Sequence, residues 1–270
     1  KRRLTDECRP GSDSADSADV ARKLQARCHD TKFSLAIALL GSSLFGHASP
    51  QEEDVEAQYG GEVMELHYED LRQAVAYTAT RKKTHLDIVE IFGGEGGTTK
   101  MGLKLSLRGG INFDIITGFD LMNKADVTFL WEYLHKKKPR CVVMAPPCTA
   151  FCQWSQRNRL NAASRPAWLR SRIVGMRLSR LCADIARFQM EYGRFFVVEN
   201  PYGSEMWQLP FWKSILDMQG IYAVKVQMCA AGLKDPLDPE FYIQKDTWIV
   251  ANNELILEPL EGFQCPGVSA

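Results

Sequence analysis

The sequence predicts an α/β protein with a doubly wound sheet and helices on both of its faces. Short apolar runs typical of buried strands alternate with helical segments between residues 86 and 251, and strands that alternate with helices usually pair in parallel. Three of these strands end in chemically unusual segments, at 93–97, 146–148 and 199–201. In such sheets ligands bind outside the carboxyl ends of the strands, so the same pattern predicts where a site should lie.

The order of the predicted elements is Rossmann-like. The predicted strands are 86–92, 113–117, 141–145, 195–198, 222–228 and 247–251. The predicted helices that connect them are 98–108, 127–137, 169–192 and 206–218.

The segments that flank this core differ from it in composition. Residues 1–61 are polar and end in an acidic linker, which predicts a largely disordered extension. Residues 62–81 have the apolar spacing of an amphipathic helix and begin the predicted folded domain, 62–258, with a tail at 259–270. The apolar stretch 33–48 is too short to span a membrane. The chain begins at Lys1, which suggests a piece of a longer protein.

Charge and cysteine content narrow the classes of partner. The chain has 33 basic and 33 acidic residues, so a polyanion would have to bind to a local basic patch. None of the cysteines forms a CxxC pair, which predicts reduced thiols inside a cell and no metal site. They are Cys8, Cys28, Cys141, Cys148, Cys152, Cys182, Cys229 and Cys265.

The first strand leads into the sequence Phe-Gly-Gly-Glu-Gly-Gly at 92–97. Glycines at such a turn let the backbone approach a ligand closely and direct helix amides towards it. The following Thr98-Thr99-Lys100 has the wrong order for a phosphate-binding P-loop, and the dinucleotide GxGxxG pattern is not matched. A ligand of adenosine type fits this loop better.

The third strand ends at Pro146-Pro147-Cys148. The prolines stiffen the chain, and a cysteine near a helix start is expected to have a lowered pKa and to act as a thiolate nucleophile. The alternative is a buried structural cysteine. A Cys–His hydrolase is disfavoured because no histidine follows His135.

The fourth strand is apolar and ends at Glu199-Asn200-Pro201. Burial at a strand exit is expected to raise the pKa of the Glu199 carboxyl, which would make it a proton donor. The alternative is a turn or capping residue, because Asn-Pro marks turns.

In this order, the three segments resemble the cytosine-5 DNA methyltransferase family. That family has a Phe-x-Gly-x-Gly-Gly cofactor loop, a Pro-Cys nucleophile motif and a Glu-Asn motif. The resemblance covers about residues 85–255 and extends to the methyltransferase-like domains carried by retroelements. It implies an S-adenosylmethionine-dependent methyltransferase sheet, a DNA substrate and a nuclear location.

The resemblance also implies the reaction. Cys148 would attack carbon 6 of a cytosine flipped out of its stack, and Glu199 would protonate or hydrogen-bond ring nitrogen 3. Carbon 5 would then accept the methyl group of S-adenosylmethionine, while Asn200 positions the loop.

The cofactor would lie against the glycine loop. An acid after the second strand should hold the ribose hydroxyls, and Asp114 and Asp120 are both candidates. Asp120 is favoured because it follows Gly118-Phe119 at the expected strand exit. The other predicted cofactor contacts are Phe92, Gly93, Gly94, Gly96, Gly97 and Pro147.

A basic segment follows the nucleophile. Residues 153–183 contain no acid, and arginine matches phosphate with its planar fork, although a solvated basic helix would look the same. The predicted nucleic-acid contacts in this segment are Arg157, Arg159, Arg165, Arg170 and Arg172.

The sequence departs from the family near its end. The nearest match to the family's Gln-x-Arg-x-Arg motif begins at Gln244-Lys245 and lacks both arginines; these two residues are also predicted nucleic-acid contacts. The segment after Glu199 leaves little room for a target-recognition region. Two alternatives therefore stay open: a non-catalytic domain that binds cofactor or nucleic acid, and an RNA cytosine methyltransferase.

Overall fold

The computed structural model describes residues 86–105, 107–233, 235, 237–238, 240–262 and 265. The predicted extension and the helix at 62–81 lie outside these residues. The strands are β1 (Ile88–Ile91), β2 (Gly109–Phe113), β3 (Cys141–Met144), β4 (Phe195–Pro201), β5 (Tyr222–Gln227) and β6 (Asp246–Ala251). The α-helices are α1 (Gly97–Lys104), α2 (Lys124–Lys137), α3 (Gln153–Leu160), α4 (Arg165–Glu191), α5 (Pro210–Leu216) and α6 (Glu254–Leu257).

These elements form one six-stranded sheet in the order β2-β1-β3-β4-β6-β5. The strands β2, β1, β3 and β4 are parallel, whereas β6 is antiparallel to both of its neighbours, β4 and β5. The α/β class with a mainly parallel sheet is confirmed. Parallel pairing was the wrong prediction for β6, because the connection from β5 contains no helix among its described residues and a parallel neighbour needs a crossover.

Helices cover both faces of the sheet. In β1, Val89 and Ile91 belong to the apolar cluster that contains residues of α2, α4 and α5. The alternate residue Ile88 belongs to the other cluster, with residues of β3, β4 and α6. Because side chains alternate across a strand, Glu90 faces the same layer as Ile88, beneath α1.

The second strand lies four residues earlier than the prediction of 113–117. Glycine is unfavourable inside a strand, but close packing requires it here. A Cβ atom on Gly109 would lie 2.5 Å from Cγ2 of Thr99, and one on Gly110 would lie 2.6 Å from Cγ2 of Val89. The predicted strand end is instead the 3₁₀ helix Ile115–Thr117.

The other differences are at element boundaries. The helix predicted at 206–218 is divided by Pro210 into the 3₁₀ helix Glu205–Gln208 and α5. The core extends to the fully buried Leu260, so the predicted tail begins too early. In the described part of the chain, no helix is both long and apolar enough to cross a membrane.

Candidate active site

The sheet reverses its direction of growth beside β1. The chain passes from β1 to β2 on one side and then crosses to β3 on the other, so β1 and β3 flank the switch point where open α/β sheets bind ligands. The loop at 92–97 leaves the carboxyl end of β1, and the segment at 145–148 leaves that of β3. Glu199 lies at the exit of the adjacent β4.

The glycine loop depends on glycine at two positions. Gly93 packs so closely that an added Cβ would lie 2.9 Å from both Glu90 and Asn112 side-chain atoms. Gly96 has φ of 76° and precedes α1, which begins at Gly97. The side chain of Asn112 accepts from the amide of Gly93 at 3.2 Å and donates to the carbonyl of Gly94 at 2.7 Å. The loop is therefore held in one shape by β2.

The carboxylate of Glu90 occupies the amino end of α1. It is fully buried and accepts hydrogen bonds from the backbone amides of Thr98 and Thr99, at 3.1 and 2.7 Å. Burial raises its pKa, and the hydrogen bonds from Thr99 and Thr98 oppose that rise. The amides of Thr98 and Thr99 at this helix start are therefore already bound to Glu90 and are not offered to an anionic ligand such as a phosphate.

Asp114, and not Asp120, follows the second strand directly. Its carboxylate accepts from the amides of Gly94 and Ile116, each at 3.0 Å, so it joins the glycine loop to the end of β2. Asp120 is exposed and caps the turn at Met122. The preference for Asp120 as the strand-exit acid was wrong because the strand had been placed too late.

Two exposed apolar side chains lie next to Asp114. Ile115 is 69% exposed and Ile116 is 57% exposed, in a turn that is fixed by its own capping box. Sequence reasoning missed them because they had been assigned to a strand interior. Phe92 packs partly against the core of the sheet, on the other flank of the glycine loop.

Cys148 begins a tight turn. Its carbonyl accepts from the amides of Phe151 and Cys152, at 2.8 and 3.0 Å, and its side chain is half-buried. The preceding Pro146 is buried and Pro147 is exposed. The turn leads into α3, so Cys148 lies near a helix start, as predicted.

The prediction of a lowered pKa for Cys148 was wrong. Burial raises the pKa of this thiol, the charges of Glu199 and Cys152 raise it further, and the charge of Lys245 opposes them. Cys148, Glu199 and Lys245 are thus near enough to interact electrostatically and form one cluster at the carboxyl edge of the sheet. Ionisation of this thiol is therefore less favourable than in a free cysteine, and loss of the Glu199 charge would make it more favourable.

Glu199 and Lys245 form a partly buried ion pair. The Nζ atom of Lys245 lies 3.5 Å from Oε1 of Glu199, whose side chain is only 8% exposed. Burial raises the pKa of Glu199, as expected from the sequence, and the charge of Lys245 opposes the rise. Lys245 reaches this position because β6, which it precedes, is antiparallel to β4. The sequence alone predicted Lys245 as a nucleic-acid contact because it does not show this strand pairing. The neighbouring Gln244, predicted as another such contact, is exposed.

Asn200 connects two of the strand ends. Its side-chain amide donates to the carbonyl of Pro146 at 2.8 Å, and the residue is fully buried. The exit of β4 therefore holds the Pro-Pro-Cys turn directly.

Arg172 binds within the protein. Its guanidinium pairs with Glu205, donates to the carbonyl of Ala150 at 3.3 Å and lies over the ring of Phe151. It thus joins the turn that follows Cys148 to the segment that follows β4, and its assignment as a nucleic-acid contact is replaced by this bracing role. The exposed arginines that remain from the prediction are Arg157, Arg159, Arg165 and Arg170.

Comparison with models of protein families, with curated proteins and with solved structures found no match for this chain. Functional assignment therefore rests on the residues and their geometry.

Proposed function

We propose that this protein transfers a methyl group from S-adenosylmethionine to carbon 5 of cytosine in DNA, through a covalent adduct of Cys148. The observation that carries the proposal is the cluster of Cys148, Glu199 and Lys245 at the same edge of the sheet as the glycine loop. The three motifs of the family resemblance lie at neighbouring carboxyl ends of one sheet, where they could act on a single substrate.

The residues around the glycine loop fit the cofactor. Gly93 lets the loop lie directly against the Glu90 and Asn112 side chains, and the ionised form of Glu90 would favour a cofactor with a positively charged sulfonium and ammonium group. Asp114 offers a carboxylate near the loop for hydroxyl groups, and Ile115 and Ile116 offer apolar surface to a flat base. When bound, the cofactor supplies an electrophilic methyl group.

The residues at the ends of β3 and β4 fit the chemistry of cytosine. The sulfur of Cys148 forms a bond to carbon 6, the electron pair of the 5,6 double bond moves towards carbon 5, and Glu199 delivers a proton to nitrogen 3. The proton lost by the thiol passes to water. After methylation, water takes the proton from carbon 5, the electron pair left behind restores the double bond and expels the sulfur of Cys148, and nitrogen 3 returns its proton to Glu199.

Substrate binding would itself activate the nucleophile. A protonated Glu199, hydrogen-bonded to the base, no longer raises the pKa of Cys148, whereas Lys245 continues to lower it. Binding of the base would therefore lower the pKa of Cys148 relative to that in the free protein.

Trapping with 5-fluorocytosine DNA tests the proposal. Fluorine on carbon 5 cannot leave as a proton does, so the adduct persists after methyl transfer. We expect the full chain, incubated with this DNA and S-adenosylmethionine, to give a band of protein–DNA mass on a denaturing gel. The band should be lost in Cys148→Ser and kept in the matched control Cys152→Ser, which removes another half-buried thiol four residues away.

The outcomes separate the alternatives. A folded protein that binds S-adenosylmethionine but traps neither DNA nor RNA would be a non-catalytic domain. If 5-fluorocytosine RNA is trapped and 5-fluorocytosine DNA is not, DNA would be the wrong substrate class but the mechanism would be unchanged. A band that survives Cys148→Ser would overturn the role of this cysteine.

A further inference from the structure

A cavity of about 590 Å³ lies at the amino edge of the parallel strands, opposite the edge that holds Cys148. Its volume is in the range of small-molecule sites. Among the described residues that line it are four cations and one carboxylate: Arg108, Arg140, Arg194, Lys138 and Asp87. The aromatic rings of His135, Phe188 and Tyr192 form part of the wall.

The position of the arginines follows from the register of the sheet. Arg108, Arg140 and Arg194 each immediately precede a parallel strand, and Asp87 precedes β1. Ile88 pairs with Gly109 and Cys141, and Cys141 pairs with Phe195. The four residues before these positions therefore form one row across the sheet, at the spacing of neighbouring strands, about 4.8 Å.

One guanidinium in this row already holds an oxyanion. The Nε and Nη2 atoms of Arg108 donate to the two carboxylate oxygens of Asp87, at 3.0 and 3.1 Å. This is the side-on, bidentate geometry that arginine adopts with carboxylates and phosphates.

The same edge of Arg194 has no such partner. Its Nε and Nη2 atoms are buried without a hydrogen-bond partner among the described residues, while the guanidinium lies against the rings of Phe188 and Tyr192. Buried donors that lack an acceptor are rare and need a reason. Tyr192, whose ring lies against this guanidinium, is itself 56% exposed.

We propose that this cavity binds a small phosphate monoester that carries a flat ring. The phosphate is held side-on by Nε and Nη2 of Arg194, in the field of Arg140 and Lys138, and the ring lies against the aromatic wall. The site is at the opposite edge of the sheet from Cys148 and does not depend on the proposed methyl transfer.

Calorimetric titration of the full chain tests this proposal, with phenyl phosphate as the probe and with ionic strength held constant by sodium chloride. We expect one phenyl phosphate per chain, bound more tightly than inorganic phosphate. Arg194→Gln should weaken binding about tenfold or more, since a charge-assisted bidentate contact is lost. Arg194→Lys should also weaken it, because lysine keeps the charge but lacks the fork.

Arg177→Gln is the matched control, since it removes an exposed arginine of α4 that does not line this cavity. It should bind phenyl phosphate as the native protein does. Circular dichroism establishes that each variant is folded, and Arg194→Lys keeps the test valid if Arg194→Gln unfolds. Absence of phenyl phosphate binding, or equal binding by native protein and Arg194→Lys, would overturn the proposal.

Discussion

At Cys148, neighbouring groups act on one thiol in opposite directions. Burial and the charges of Glu199 and Cys152 raise its pKa, and the ammonium group of Lys245 lowers it. Lys245 is also 3.5 Å from Glu199, so one cation stabilises the ionised forms of both the thiol and the carboxyl. Loss of Lys245 or of Glu199 should therefore shift the pKa of the Cys148 thiol in a predictable direction.

The two substitutions that test this should have opposite effects on Cys148. Lys245→Met removes the stabilising cation, so the pKa of Cys148 should rise and its alkylation by iodoacetamide near pH 8 should become slower. Glu199→Gln removes the destabilising anion, so the pKa should fall and alkylation should become faster. The rate is measured against pH by mass spectrometry of the peptide that contains Cys148, because only the thiolate reacts.

Cys182 supplies the internal reference for this measurement, because the same digest contains it. It is fully buried, and burial alone raises its pKa strongly, so its alkylation reports unfolding and not local charge. Equal rates for Cys148 in both variants and the native protein would contradict the electrostatic cluster.

Among the elements, α4 packs on the turn that follows Cys148. A Cβ atom added to Gly175 in this helix would lie 2.7 Å from the Cβ of Ala150 and 3.2 Å from the ring of Phe151. Replacement of glycine by alanine inside a helix normally stabilises by about 1 kcal/mol, but overpacking costs about 1–3 kcal/mol. We expect the collision to dominate, so Gly175→Ala should lower the free energy of unfolding in urea and should also weaken trapping of DNA.

Ser171→Ala is the control for this prediction. Ser171 lies one turn earlier in α4, and its replacement should leave stability within about 0.5 kcal/mol. A Gly175→Ala protein that is more stable than the native one, with normal trapping, would show that α4 does not press on the Cys148 turn.

The arginines of α4 differ in what they should do with DNA. Arg165→Gln and Arg170→Gln remove exposed charges, so each should weaken binding and reduce the salt dependence of the affinity by about one unit of slope if it contacts a phosphate. Arg172→Gln removes the brace to Glu205 and Ala150, so it should lower trapping without changing the salt slope. Fluorescence anisotropy against salt concentration measures both; an unchanged slope in the first two variants would leave α4 a solvated basic helix.

The elements also show what the sequence alone could predict. The ends of β1, β3 and β4 were found because short, fully apolar runs are followed by glycine, proline or acid. The strand β2 was misplaced because Gly109 and Gly110 disfavour a strand locally. Glycine is needed at these positions because the backbone packs closely against Thr99 and Val89, which only the three-dimensional structure shows. Lys245 was given a peripheral role because its approach to Glu199 depends on long-range antiparallel pairing of β6 with β4.

Across the whole molecule, the two edges of the sheet have opposite character. The carboxyl edge buries two acids, Glu90 and Glu199, whose pKa values are both raised by burial. The amino edge gathers Arg108, Arg140 and Arg194 in one row. A neutral chain can therefore concentrate buried acids at one edge of its sheet and arginines at the other, although it has no overall field to attract a charged ligand.

Burial of Glu199 makes the stability of the whole protein depend on pH. Its pKa is raised in the folded state above the ordinary value of 4.5, so the ionised form is less favourable in the folded protein than in the unfolded one. The associated stability is fully present below pH 4.5 and is lost as pH rises through the raised pKa. Glu199→Gln lacks this loss, so it should be more stable than the native protein at pH 8 and close to it near pH 4. Urea unfolding at both values measures the difference, and a difference that does not change with pH would show that Glu199 ionises in the fold as freely as in water.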